Sequence, residues 1–85
     1  MSERRPVEVF PPGEFIRDEI EARRWSQEML AYRLGYSLRT VKDTIAGKRQ
    51  ITPKMAERLG RVFGTSAELW LNLERNYQKE RPNEA

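Results

Sequence analysis

Between Ser26 and Ser66 helix starts alternate with helix stops so closely that only short helices fit. Ser26, Ser37, Thr52-Pro53 and Thr65-Ser66 are start signals, and Gly35, Gly47 and Gly64 are the stops. A serine or threonine hydroxyl accepts from a free amide of the first helical turn, and proline at the first helical position loses no hydrogen bond. Glycine ends a helix because it enters the left-handed region without penalty. Apolar residues recur at helical spacing inside each interval: Leu30, Ala31 and Leu34, then Val41 and Ile45, then Ala56, Leu59, Val62 and Phe63, then Leu69, Trp70, Leu73 and Tyr77. Upstream, Pro12 with Glu14 and Asp18 suits a helix N-terminus. Ile16 and Ile20 mark one face of a helix running to about Arg24, with Trp25 buried in the link that follows. The expectation is an all-α chain of five helices with short links and no strand. Residues 1–10 read as a flexible arm, 11–78 as one helical domain, and 79–85 as a polar tail that frays.

The 85 residues suffice for one domain. They include no cysteine and no histidine, which removes disulfides, thiolate metal sites and most nucleophilic or proton-shuttling chemistry. Serine, lysine, aspartate and glutamate remain, but none stands in an interpretable catalytic constellation. The chain is therefore expected not to be an enzyme, with no catalytic residue, no metal site, no cofactor and no small-molecule substrate. No apolar run approaches membrane-spanning length and no signal-peptide pattern opens the chain, so a cytoplasmic protein without a membrane partner is expected.

The net charge of +3 hides an uneven distribution. Residues 1–22 carry three basic and six acidic side chains, and residues 55–85 carry five of each. Residues 23–54 carry eight basic side chains (Arg23, Arg24, Arg33, Arg39, Lys42, Lys48, Arg49, Lys54) against Glu28 and Asp43. A continuous basic block is the footprint of a protein that neutralises phosphates.

Inside that block, Gln27–Ala46 has the make-up of two short helices joined by a tight turn. Ala31 is small enough for the second helix to cross close by, Gly35 permits the reversal, and Leu30, Leu34, Tyr36, Val41 and Ile45 supply the apolar contacts. A helix held this way can project its N-terminal half into a major groove about 12 Å wide. Val41 and Ile45 facing inward leave Leu38, Arg39 and Lys42 outward. Arg39 can hold guanine O6 and N7, and Leu38 can meet a thymine methyl. Asp43 can accept from cytosine N4 or pair with a nearby arginine. Leu38, Arg39, Lys42 and Asp43 are thus the expected base-contacting set. Gln27, Ser37, Thr40, Lys48 and Arg49 are expected to contact phosphates, as helix N-termini and basic side chains do. Trp25, Phe63 and Trp70 are spaced as core residues rather than as a platform for single strands.

The stretch from Ser26-Gln27-Glu28 to Ala46-Gly47-Lys48-Arg49 resembles the helix-turn-helix of lambda-type repressors, the Xre family. With Pro12-Gly13-Glu14, Gly47-Lys48-Arg49-Gln50-Ile51-Thr52 and Gly64-Thr65-Ser66-Ala67-Glu68-Leu69-Trp70-Leu71-Asn72-Leu73 added, the chain resembles HigA-type antitoxins over about residues 11 to 78. It departs at Ala46, Leu38 and Thr44, where related repressors often carry asparagine, glutamine and a larger apolar residue.

The resemblance implies a five-helix lambda repressor-like fold and two partners. One is double-stranded DNA, a palindromic operator in the protein's own promoter. The other is a HigB-like toxin, an mRNA-cleaving ribonuclease that the antitoxin would neutralise. Such a toxin is expected to be basic, and Glu14, Asp18 and Glu21 share one face of the first helix as an acidic ridge suited to it. Leu71 lies off the Leu69 and Leu73 side, so the last helix is apolar more than halfway round. This places a homodimer contact at Leu69, Trp70 and Leu71. The residues alone leave open a stand-alone phage or plasmid repressor, and an interaction module whose basic face binds an acidic protein.

Overall fold

A computed structural model describes residues 10–80, in which five helices follow one another with no strand. They are α1 (Pro12–Arg23), α2 (Gln27–Leu34), α3 (Leu38–Ile45), α4 (Pro53–Phe63) and α5 (Ala67–Glu80). The proposed arm lies outside the described residues except for Phe10, and the proposed tail except for Lys79 and Glu80. Those two residues continue α5, so the helix runs past the expected boundary at residue 78.

Local chemistry sets the helix starts. Ser26, Ser37 and Thr52 each accept from the amide three residues on, Met29, Thr40 and Met55. Ser66 does the same for Leu69, which settles the choice between Thr65 and Ser66. Thr65 instead accepts from the Trp70 indole N–H at 2.8 Å. Each cap is worth about 1 kcal/mol. The α1 start has no side-chain cap and places Pro12 where its missing N–H costs nothing. That helix stops at Arg23, and Arg24 serves as its left-handed cap with φ 60°.

All five helices feed one core. Ile16 and Ile20 of α1 meet Leu30, Ala31 and Leu34 of α2, and Val41 and Ile45 of α3. Met55, Ala56, Leu59 and Phe63 come from α4, Trp70 from α5, and Ile51 from the link before α4. Two expected positions differ. Trp25 is only half-buried, its ring lying against Phe63 at 6.0 Å between centroids. On α5, Leu69 is exposed and Glu74 takes the inward position one turn after Trp70. No helix among the described residues is long and apolar enough to cross a membrane.

Candidate nucleic-acid interface

The reversal between α2 and α3 is fixed from both sides. Gly35 adopts φ 78°, and its amide and that of Tyr36 both donate to the Ala31 carbonyl. Any side chain at residue 35 would carry the strain of that left-handed conformation. From α4, Arg58 donates through Nη1 to the Leu34 carbonyl at 3.0 Å, while its guanidinium lies 5.2 Å from the Tyr36 ring centre. An orphan carbonyl at the end of α2 is thereby satisfied by a cation, the favoured charge at a helix C-terminus.

Helix α3 divides cleanly. Val41, Thr44 and Ile45 are buried. The Thr44 hydroxyl donates back to the Thr40 carbonyl at 2.8 Å, which is how a threonine is accommodated at a buried helical position. Arg39 and Lys42 are exposed, with 85% of the Arg39 side chain accessible. Leu38 is half-buried at the helix start. Asp43 stands 3.5 Å from Arg39 Nε, so the pairing expected as one of its two roles is present. Lys48 and Arg49 are exposed just past the helix, and the Lys48 amide closes the turn on the Asp43 carbonyl at 2.8 Å.

At the α3 N-terminus, Ser37 and Thr40 form a unit. Ser37 Oγ accepts from the Thr40 amide at 3.1 Å and donates to Thr40 Oγ1 at 2.9 Å. With its hydrogen so used, Ser37 is a cap, and Thr40 keeps the hydroxyl hydrogen that an anion can take. Gln27 is half-exposed at the first position of α2.

Within the basic block only Arg23 is drawn partly out of solvent. Arg23 is engaged by Glu19 and by the Phe63 carbonyl at 3.2 Å, and lies 4.8 Å from the Phe63 ring centre. Arg33 covers Trp25 at 4.2 Å. Both cations finish the aromatic corner of Trp25, Phe63 and Trp70. Arg33 nonetheless stays exposed, as do Arg24, Lys42, Lys48, Arg49 and Lys54, alongside the paired Arg39.

Glu14, Asp18 and Glu21 are all exposed on α1. Arg17 sits 3.8 Å from Glu14 and Glu19 pairs with Arg23, so the ridge carries one intrahelical cation. Of the three residues expected at a dimer contact, Leu69 is exposed and Leu71 half-buried. Trp70 is only 1% exposed, inside the core, and contributes no surface to a partner. Sequence reading missed Arg58, Ile51 and Glu74. Arg58 has no local signature, whereas the spacing of Trp70, Glu74 and Tyr77 placed the glutamate on the inward face.

Residues 16–70, well over half of the chain, match the family model described as helix-turn-helix. The chain belongs to the helix-turn-helix family. Solved helix-turn-helix structures share its fold and carry related sequences. A Pseudomonas aeruginosa protein in complex with its 18-bp operator DNA is 40% identical with a TM-score of 0.82, over 87% of this chain and 81% of that one. An addiction module antidote protein of the HigA family from Coxiella burnetii is 33% identical at 0.82, covering 87% and 82%. The Pseudomonas aeruginosa antitoxin HigA with the higBA promoter is 42% identical at 0.77, covering 88% and 79%. The Xre-like fold and the likeness to HigA-type antitoxins expected from the motifs are both found. The family is one of DNA-binding regulators, not enzymes.

Proposed function

We propose that this protein is a DNA-binding antitoxin of a type II toxin–antitoxin system. It represses its own operon as a homodimer on a palindromic operator and neutralises a HigB-like mRNA-cleaving ribonuclease. The observation that carries the DNA half is α3 itself. Its inner face is locked by Val41, Thr44 and Ile45, and its outer face presents Arg39 and Lys42 to solvent. In this reading Leu38, Arg39, Lys42 and Asp43 read bases. Gln27, Thr40 as capped by Ser37, and Lys48 with Arg49 hold phosphates. The likeness to two operator or promoter complexes supports the same assignment.

Two copies related by a two-fold axis contact half-sites about 10 bp apart, or a multiple of that, on one face of the duplex. Leu69 and Leu71 supply the apolar surface for that pairing. The toxin half draws on the HigA likeness and on the exposed ridge of Glu14, Asp18 and Glu21, which suits a cationic partner. The protein works in the cytoplasm without a cofactor.

The test is binding of the purified chain to the duplex upstream of its own gene and to random duplex across a salt series. Co-purification with the product of the adjacent gene is followed in parallel. Preference for the upstream duplex, affinity falling steeply with salt, and a stoichiometric complex with a small basic ribonuclease are the expected results. Operator binding with no protein partner would leave a stand-alone repressor. Equal binding to every duplex, or to none, would remove the operator-reading role.

A further inference from the structure

Glu74 is the one buried charged residue among those described, 8% exposed on the inward side of α5. Its Oε1 accepts from the backbone N–H of Ile51 at 3.0 Å, across 23 residues of sequence. Its Oε2 accepts from Gln78 Nε2 at 2.6 Å. Both donors are amides, so among the described residues the carboxylate is held by hydrogen bonds and not by a cation.

What it holds is the segment that carries the proposed phosphate anchors. Helix α3 ends at Ile45, and the amides of Gly47 and Lys48 close the turn on Thr44 and Asp43. From there Lys48, Arg49 and Gln50 run exposed until Ile51, which seats its side chain in the core and its amide on Glu74. Gly47, Arg49 and Gln50 line one small cleft with Glu74 and Gln78. Within 48–51, this is the backbone hydrogen bond that reaches another helix. A buried amide left without an acceptor is costly, so the chain here stays where Glu74 puts it.

We propose that Glu74 is the positioning residue of the phosphate-anchoring segment, fixing the backbone of 48–51 so that Lys48 and Arg49 meet DNA in a preset arrangement. The assignment rests on the DNA-binding reading above. Without that fix Lys48 and Arg49 no longer reach their phosphates together, so the loss falls on affinity and salt slope for every duplex and not on base preference.

The experiment compares wild type, Glu74→Ala, Glu74→Gln and the destabilised control Leu73→Ala. Two readouts are taken: amide hydrogen exchange at Ile51 in the free protein, and the salt dependence of binding to operator and random duplexes. Glu74→Ala is expected to lose protection at Ile51, and to weaken both duplexes roughly 5- to 30-fold at 0.15 M salt. Its slope flattens by about one to two units, the share of one or two phosphate contacts at about 0.9 each. Glu74→Gln keeps an oxygen acceptor for Ile51 and stays within about twofold of wild type. Leu73→Ala loses stability with no change of slope. If Glu74→Ala does not fold, Glu74→Asp, whose carboxylate is one methylene short of Ile51, replaces it. A wild-type slope, wild-type protection at Ile51, or a Gln variant as impaired as the Ala or Asp variant each overturns the proposal. Failure of the wild type to bind any duplex in a salt-dependent way removes the DNA reading and this proposal together, and it shows in the wild-type arm alone.

Discussion

Gly13 at the start of α1 is pressed against the carbonyl of Ile45 at the end of α3, so closely that a Cβ at residue 13 would lie 2.0 Å from that oxygen. The obstacle is backbone, and no side-chain rotation relieves it. Gly13→Ala is therefore expected to cost about 3 kcal/mol, at the upper end of overpacking effects. For a domain of this size that is a fall in melting temperature of roughly 12–24 °C by calorimetry. A loss below about 1 kcal/mol would mean that α1 does not dock on α3 in this way.

Arg39 and Lys48 are expected to fail differently on DNA. Arg39→Ala should cost roughly 1–3 kcal/mol on the operator and relax preference at one base pair. Lys48→Ala should weaken operator and random duplexes about equally and flatten the salt slope by roughly one unit. Titrations of both variants on both duplexes decide the matter, and matching profiles would move Arg39 to the phosphates.

Arg33 lies in the basic block by sequence but over the Trp25 ring in space. Arg33→Ala is expected to lower stability by roughly 0.5–1 kcal/mol. Its salt slope on duplex DNA should match that of wild type. A slope flattened by a full unit would return Arg33 to the DNA-facing set.

The acidic ridge is tested by the double reversal Asp18→Lys with Glu21→Lys. Stopped-flow association with the toxin should slow and lose much of its salt dependence, because rim charges act chiefly on the encounter rate. Operator affinity should hold or rise slightly. Unchanged association kinetics would place the toxin contact elsewhere on the surface.

The features legible in the sequence are the ones whose chemistry is local. Ser26, Ser37 and Thr52 cap because the amide they satisfy is three residues away, and Gly35 ends α2 within its own turn. The helices and the outward set on α3 follow from spacing alone. What the sequence concealed depends on partners far along the chain. Arg58 and Leu34 are 24 residues apart, and Ile51 and Glu74 are 23 apart. Glutamate is rarely buried, so only its spacing from Trp70 marks Glu74 as inward. Counting charge along the chain likewise gives no sign that Arg23 is half-buried over the Phe63 ring, because that ring is 40 residues away. Counting apolar residues around α5 by identity offers Trp70 to a partner, whereas its indole is committed to Thr65 and Phe63.

The division of α3 between an inner and an outer face has a further consequence. Val41, Thr44 and Ile45 hold the helix, whereas Arg39 and Lys42 stand outside the core. If the outer pair reads bases as proposed, exchanging it would change the DNA address without touching the scaffold. Duplicated copies of such a gene can therefore drift to separate promoters by a few surface substitutions and stop regulating one another while folding identically.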